Sequence, residues 1–135
     1  MNERALTKEL AAEAWAKAWN TLDLAHLEPL LAERVRYASQ SILDEVEGKP
    51  DVLAYLAWKM RTVGRLPGAA VFAELGELAT HEPCAVMARG TRDALAAVVL
   101  FRVEGDAIVQ IDVCTVAPHP REARRSGVYP LLPPY

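Results

Sequence analysis

The stretch AWNTLDLAHLEPLLAERVRY, residues 18–37, decides the fold, because the hydrophobic period changes inside it. Leading into it, Leu6, Leu10, Ala14 and Ala18 recur every four residues beside a stripe of Ala11, Trp15 and Trp19. That spacing predicts an amphipathic helix over 4–19. Asn20 and Thr21 interrupt the pattern. Asp23 then stands where a side-chain oxygen would cap a second helix bearing Leu24, Leu27, Leu30 and Leu31. Pro29 fits such a helix only in its first turns, so this one is expected to be short and kinked. By Val35 the period is two: Val35, Tyr37 and Ser39 alternate with Arg36, Ala38 and Gln40, which predicts a strand, with a second short strand over 41–46.

Downstream, Gly48-Lys49-Pro50 breaks the chain and starts a third helix running to about residue 63. Leu53, Leu56, Met60 and Val63 form its core face, flanked by Tyr55, Trp58 and Lys59, and Gly64 with Pro67-Gly68 stops it. From residue 69 on only strands are expected, over 70–79, 84–91, 95–104 and 107–116. Glu82-Pro83, Arg92-Asp93 and Gly105-Asp106 separate them as hairpin turns. The final PHPREARRSGVYPLLPPY holds five of the nine prolines and is expected to lie extended on the body without regular structure. Its Arg121, Arg124 and Arg125 could hold an anion, but with Glu122 among them they read as a solvated tail. The class is therefore α+β: three N-terminal helices packed on a curved, mostly antiparallel sheet, with residues 1–117 as the domain and 118–135 as a Pro-rich tail packed on it.

With 135 residues, 52% of them hydrophobic and 24% charged, the chain is long enough and apolar enough for one packed domain. No apolar run reaches the ~20 residues of a membrane-spanning helix. The net charge of −3 argues against nucleic acid as a partner. The opening MNERALTKEL lacks a secretory h-region, and Cys84 and Cys114 make no disulfide framework, so a reducing cytoplasm is expected. His26, His81 and His119 are isolated and the glycines are scattered. Neither a metal site nor a phosphate-binding loop is expected, and nothing calls for a cofactor.

Residues 18–37 followed by EGKPDVLAYLAWKM (47–60), together with VVLFRVEGDAIVQIDVCTV (98–116), resemble the NTF2-like superfamily, also described as SnoaL-like or ketosteroid-isomerase-like domains. The resemblance covers about residues 5–117 and is to uncharacterised bacterial members. It implies a cone of curved sheet around helices, a pocket at the open end and dimers formed through the sheet. It implies no reaction, since such scaffolds carry enzymes, binders and interaction modules alike. The carboxylate base of the ketosteroid isomerases would fall at about Ser39. Their protonated acid and tyrosine network would fall at Trp15, Leu31, Leu56 and an apolar residue near Val98, so that chemistry is absent. The epoxide-hydrolase variant of the fold uses two carboxylates bridged by arginine. Asp112 and Arg102 are candidates, but simple hairpin parity puts them on opposite faces.

Asp112 is the candidate catalytic residue. It interrupts an apolar strand, where a carboxylate needs partners or a proton. A bulge-free Gly105-Asp106 turn would set it opposite Val99, and Cys114 opposite Ala97, with Gln110 and Phe101 on the same face. It would then lie in the pocket within one hydrogen bond or one bridging water of Tyr37 or Ser39. Tyr37 and Ser39 share a side of their strand and could offer a phenol and a hydroxyl to one ligand. Trp15, Tyr55 and Trp58 are candidate ligand contacts or core, and Cys114 is a candidate contact or a buried structural thiol. Two functions stay open. One is a pocket protein for a small apolar molecule, with isomerase, lyase or hydrolase activity as its enzymatic form. The other is a non-catalytic dimerisation or protein-interaction module. A homodimer through the sheet is expected because the late strands are apolar on both faces.

Overall fold

A computed structural model describes residues 5–40, 45–66, 68 and 70–132. Helix α1 (Lys8–Thr21) begins behind Thr7, whose hydroxyl accepts a hydrogen bond from the Leu10 N–H at 3.1 Å. It buries Ala11, Ala12, Ala14, Ala16 and Ala18 around Trp15 and Trp19. The alanines let the helix approach the sheet closely, and the two indoles fill the space that remains. Asp23 caps the next segment through a 2.9 Å bond from the Ala25 N–H. That segment is shorter than expected. It runs as two single 3-10 turns, Leu24–His26 and Glu28–Leu30, because Pro29 has no N–H to give the Ala25 carbonyl and an α-helix cannot pass it. Leu31, expected to close the helix, instead opens strand β1 (Leu31–Ser39).

Residues 41–44 of the expected second strand lie outside the described residues; β2 (Val46–Glu47) pairs antiparallel with β1. Helix α2 (Lys49–Arg65) buries Val52, Leu56 and Met60. β3 (Val71–Glu77), β4 (Pro83–Arg89), β5 (Leu95–Glu104) and β6 (Ala107–Cys114) follow with no helix among them. With β7 (Arg124–Arg125) they form a curved, open sheet of seven strands in the order β2-β1-β6-β5-β4-β3-β7. β1 lies parallel to β6 and every other pair is antiparallel. Both helices pack on the concave face, whose rows include Ala73, Met87 and Ala97, then Leu75, Ala85, Val99 and Val113, then Phe101, Ile111 and Tyr37.

The β5–β6 hairpin keeps its Gly105-Asp106 turn, with Glu104 opposite Ala107 and Gly105 at φ 64°. The register shifts between Arg102 and Val103: Val103 faces Ile108 while Arg102 faces Gln110, so Val109 is an extra residue. A slip of one residue inverts every face beyond it. Asp112 therefore sits opposite Leu100 rather than Val99, and Cys114 opposite Val98 rather than Ala97.

The tail is more ordered than its prolines suggested. His119 and Glu122 form a capping box around a 3-10 turn at Pro120–Glu122, and β7 pairs with Gly76 and Glu77 of β3. Arg125 is not a solvated residue. It donates to the buried Glu74 carboxylate at 2.7 Å, to Asp93 at 3.0 Å, and to the Arg92 carbonyl and the Tyr129 hydroxyl. Gly127 N–H and Tyr129 O–H complete the shell of Glu74 at 2.6 and 3.1 Å. Gly76 permits this approach: a Cβ there would stand 2.7 Å from the Arg124 carbonyl oxygen and 2.9 Å from Val86 Cγ2. The tail's Ala123 packs onto the convex cluster of Cys84, Val86, Val98 and Cys114, where Val98 is 0% and Val86 1% exposed. The apolar surplus that argued for a sheet-to-sheet dimer is thus covered, at these residues, within the chain itself.

Candidate functional site

A cavity of about 130 Å³ lies between the helices and the concave face of the sheet. α1 supplies Trp15 and Trp19, β1 supplies Tyr37, and α2 supplies Lys59 and Val63 one turn apart. Val71, Met87 and Ala97 from the strands close its floor with Val99 and Val113, and Arg89 stands at the exposed end of β4. The aromatic walls hold one another in place. The Trp15 ring lies 6.0 Å from Trp19, 6.5 Å from Tyr37 and 5.9 Å from Phe101, and its Nε1 donates to Met87 Sδ at 3.3 Å. Burial raises the Tyr37 phenol above its ordinary pKa, with Tyr55 adding to the shift, so the hydroxyl is a neutral hydrogen-bonding group rather than a base.

Polar groups on this lining are nearly all donors. Lys59 and Arg89 bring the charges, and among the described residues no carboxylate, amide or imidazole side chain faces the cavity. Burial lowers the Lys59 ammonium below its usual pKa, and Arg89 lowers it further. The Lys59 Nζ also lies 5.4 Å from the Tyr55 ring centroid. Trp19 is 6% exposed and its buried Nε1–H has no hydrogen-bond partner among the described residues.

The residues singled out from sequence divide between this cavity and elsewhere. Trp15 and Tyr37 line it. Tyr55 stands behind Tyr37 at 5.3 Å, while Trp58 is 56% exposed and touches Tyr55 from outside. Ser39 is buried on the concave side beside Val113 but is not part of the lining. Asp112 is corrected by the bulge: it lies in the convex row with Ala38 and Leu100, away from Tyr37, and accepts from Gln110 Nε2 at 3.0 and 3.2 Å. Cys114 shares that convex face, where burial, then Asp112, raises its thiol pKa. Arg102, opposite Gln110, is on the same face as Asp112, not the other one, so the parity argument fails through the same slip. Val98 is likewise convex, and Val99 takes the concave position.

Lys59, Arg89, Trp19 and Met87 were not picked out as site residues. The signal for Lys59 was its place on the Tyr55–Lys59–Val63 line of α2, and for Trp19 its place one turn after Trp15. Arg89 and Met87 carried none, because only the strand pairing brings them here.

These helices, wrapped by a sheet of this order, match solved structures. A SnoaL-like protein of unknown function from Burkholderia thailandensis superposes with a TM-score of 0.59 at 18% identity over 90% of this chain and 99% of that one. The fold is NTF2-like. An uncharacterised cystatin-fold protein from Novosphingobium aromaticivorans matches at TM-score 0.58 and 18% identity, over 80% of this chain and 97% of that one. A hypothetical protein with a ketosteroid-isomerase-like fold from Catenulispora acidiphila, solved in complex with trimethylamine, matches at TM-score 0.54 and 22% identity, over 79% of this chain and 85% of that one. No family model matches the chain, and no curated protein does. At these identities the NTF2-like fold is what is shared; the side chains lining the cavity belong to this chain.

Proposed function

We propose that this protein binds a small, mostly apolar molecule in the cavity between its helices and the concave sheet. The observation that carries this is the lining itself: an aromatic and aliphatic chamber of about 130 Å³ whose few polar side chains include Lys59, Arg89 and Tyr37. An apolar cavity of roughly 150 Å³ accommodates benzene, so this one suits a single ring or a short branched chain. That a neighbour of the same fold was solved with trimethylamine supports small-molecule binding on such a scaffold.

Binding rather than proton transfer is the function favoured. Among the described residues no carboxylate or imidazole side chain lines the chamber, so a base would have to be Lys59 and a proton donor the Tyr37 phenol. Isomerase, lyase or hydrolase chemistry would have to run on that pair alone. The test is native mass spectrometry of the purified protein, followed by organic extraction. The expected result is a small-molecule adduct on the parent that is missing from Ala97→Phe, which fills the chamber. A parent free of adduct, which also takes up no added benzene or toluene, contradicts the proposal.

A further inference from the structure

We infer that the molecule held in the cavity is a carboxylate, its apolar body among Trp15, Trp19 and Val113 and its anionic oxygens at the mouth, on Lys59 and Arg89. This rests on the binding reading above and names the chemical class of its ligand. Two observations meet here. The lining pairs an apolar chamber with donors and, among the described residues, offers a ligand no carboxylate, amide or imidazole side chain to donate to. A group that itself donates several N–H bonds, such as an ammonium, would find the Tyr37 oxygen but no carboxylate, amide or imidazole to take the rest. Two cations, half-buried Lys59 and exposed Arg89, lie close enough for Arg89 to disfavour the charge on Lys59, and neither forms an ion pair with a carboxylate of the described residues. Like charges at the edge of an apolar site repel, and an anion between them removes that repulsion.

A cation in this chamber would enjoy the aromatic faces but would meet Lys59 and Arg89 at the mouth. The size of the chamber sets the body at about six to eight non-hydrogen atoms. A benzoate or a short branched-chain acid fits that description.

The experiment compares four probes that share a body: benzoate, benzyl alcohol, benzylamine and toluene, titrated into the full chain and followed by tryptophan fluorescence and calorimetry. Benzoate is expected to bind at least about tenfold more tightly than benzyl alcohol or toluene, with benzylamine weakest. Lys59→Met and Arg89→Met each reduce the ratio of benzoate to toluene affinity to about threefold or less. Neither position is fully buried, so both variants should fold, and melting curves verify this. Equal binding of toluene, benzyl alcohol and benzoate, or tighter binding of benzylamine, overturns the carboxylate assignment and leaves the cavity as a binding site. Binding of none of the four overturns the cavity as a site, and the carboxylate assignment with it.

Discussion

Replacing Arg125 with leucine should destabilise the whole domain, although Arg125 lies in a proline-rich tail. Among the described residues its guanidinium is the one cation on Glu74, whose side chain is 4% exposed on the convex face. Without Arg125 that carboxylate keeps the Gly127 N–H at 2.6 Å and the Tyr129 O–H at 3.1 Å but loses its counter-charge. Orphaning a buried charge in this way costs about 3–5 kcal/mol. Arg125 itself is 31% exposed and shares its charge with Asp93, which is 88% exposed, so water screens part of the pair. The expected loss is therefore about 2–3 kcal/mol. Glu74→Leu leaves Arg125 with Asp93, the Arg92 carbonyl and solvent, and should cost about 1 kcal/mol. The double variant should resemble Glu74→Leu, giving a coupling of about 2–3 kcal/mol in a double-mutant cycle measured by urea denaturation. Limited proteolysis should cut the tail faster in Arg125→Leu than in the double variant. A loss below about 0.5 kcal/mol for Arg125→Leu, or additive single changes, would refute the reasoning.

Gly76→Ala should lower stability by about 1–3 kcal/mol and speed proteolysis of the tail, because its Cβ meets the Arg124 backbone at 2.7 Å; melting and cleavage rates measured together check this. Cys84 should resist iodoacetamide at pH 8 in the folded protein and react only on unfolding, since burial, with Glu82 and Glu77 adding to it, pushes its thiol up to about 12. The same shift has a consequence for pH. Unfolded thiols ionise near 9 and the folded one near 12, so this contribution is complete below about pH 9 and is lost as pH rises toward 12, as urea midpoints across that range would show. Asp112→Leu should change stability by less than about 1 kcal/mol and leave uptake of benzene intact, because the half-buried carboxylate touches Gln110 on the face away from the cavity.

The architecture was legible because it is written in local patterns. The fourfold recurrence from Leu6 to Ala18 and the alternation from Val35 give the helix and the strand that frame the cavity, and the Gly105-Asp106 turn gives the last hairpin. Pro29 marked the break in the second helical segment; that it leaves two single turns and frees Leu31 for β1 follows from the missing N–H. The site was less legible. One extra residue, Val109, moved Asp112 and Cys114 to the other face, and nothing in the apolar run around it announces a bulge. Trp15 and Tyr37 were readable from their periods. Arg89 and Met87 reach the cavity only through the pairing of β4 with β5, and the Arg125–Glu74 pair joins residues 51 positions apart in sequence. Long-range register of this kind is set by packing and leaves little trace in a short window of sequence.

The central claim is that the chamber under α1 and α2 is a binding site. Its most direct test is a nitrogen-15 and methyl NMR titration of the full chain with benzene. Saturable shifts are expected at the indole N–H groups of Trp15 and Trp19 and at the methyls of Ala97, Val99 and Val113, all of which line the chamber. The indole of Trp58, exposed on the outside of α2, should stay in place. Shifts confined to Trp58, or no saturable shift at the chamber residues, would contradict the account.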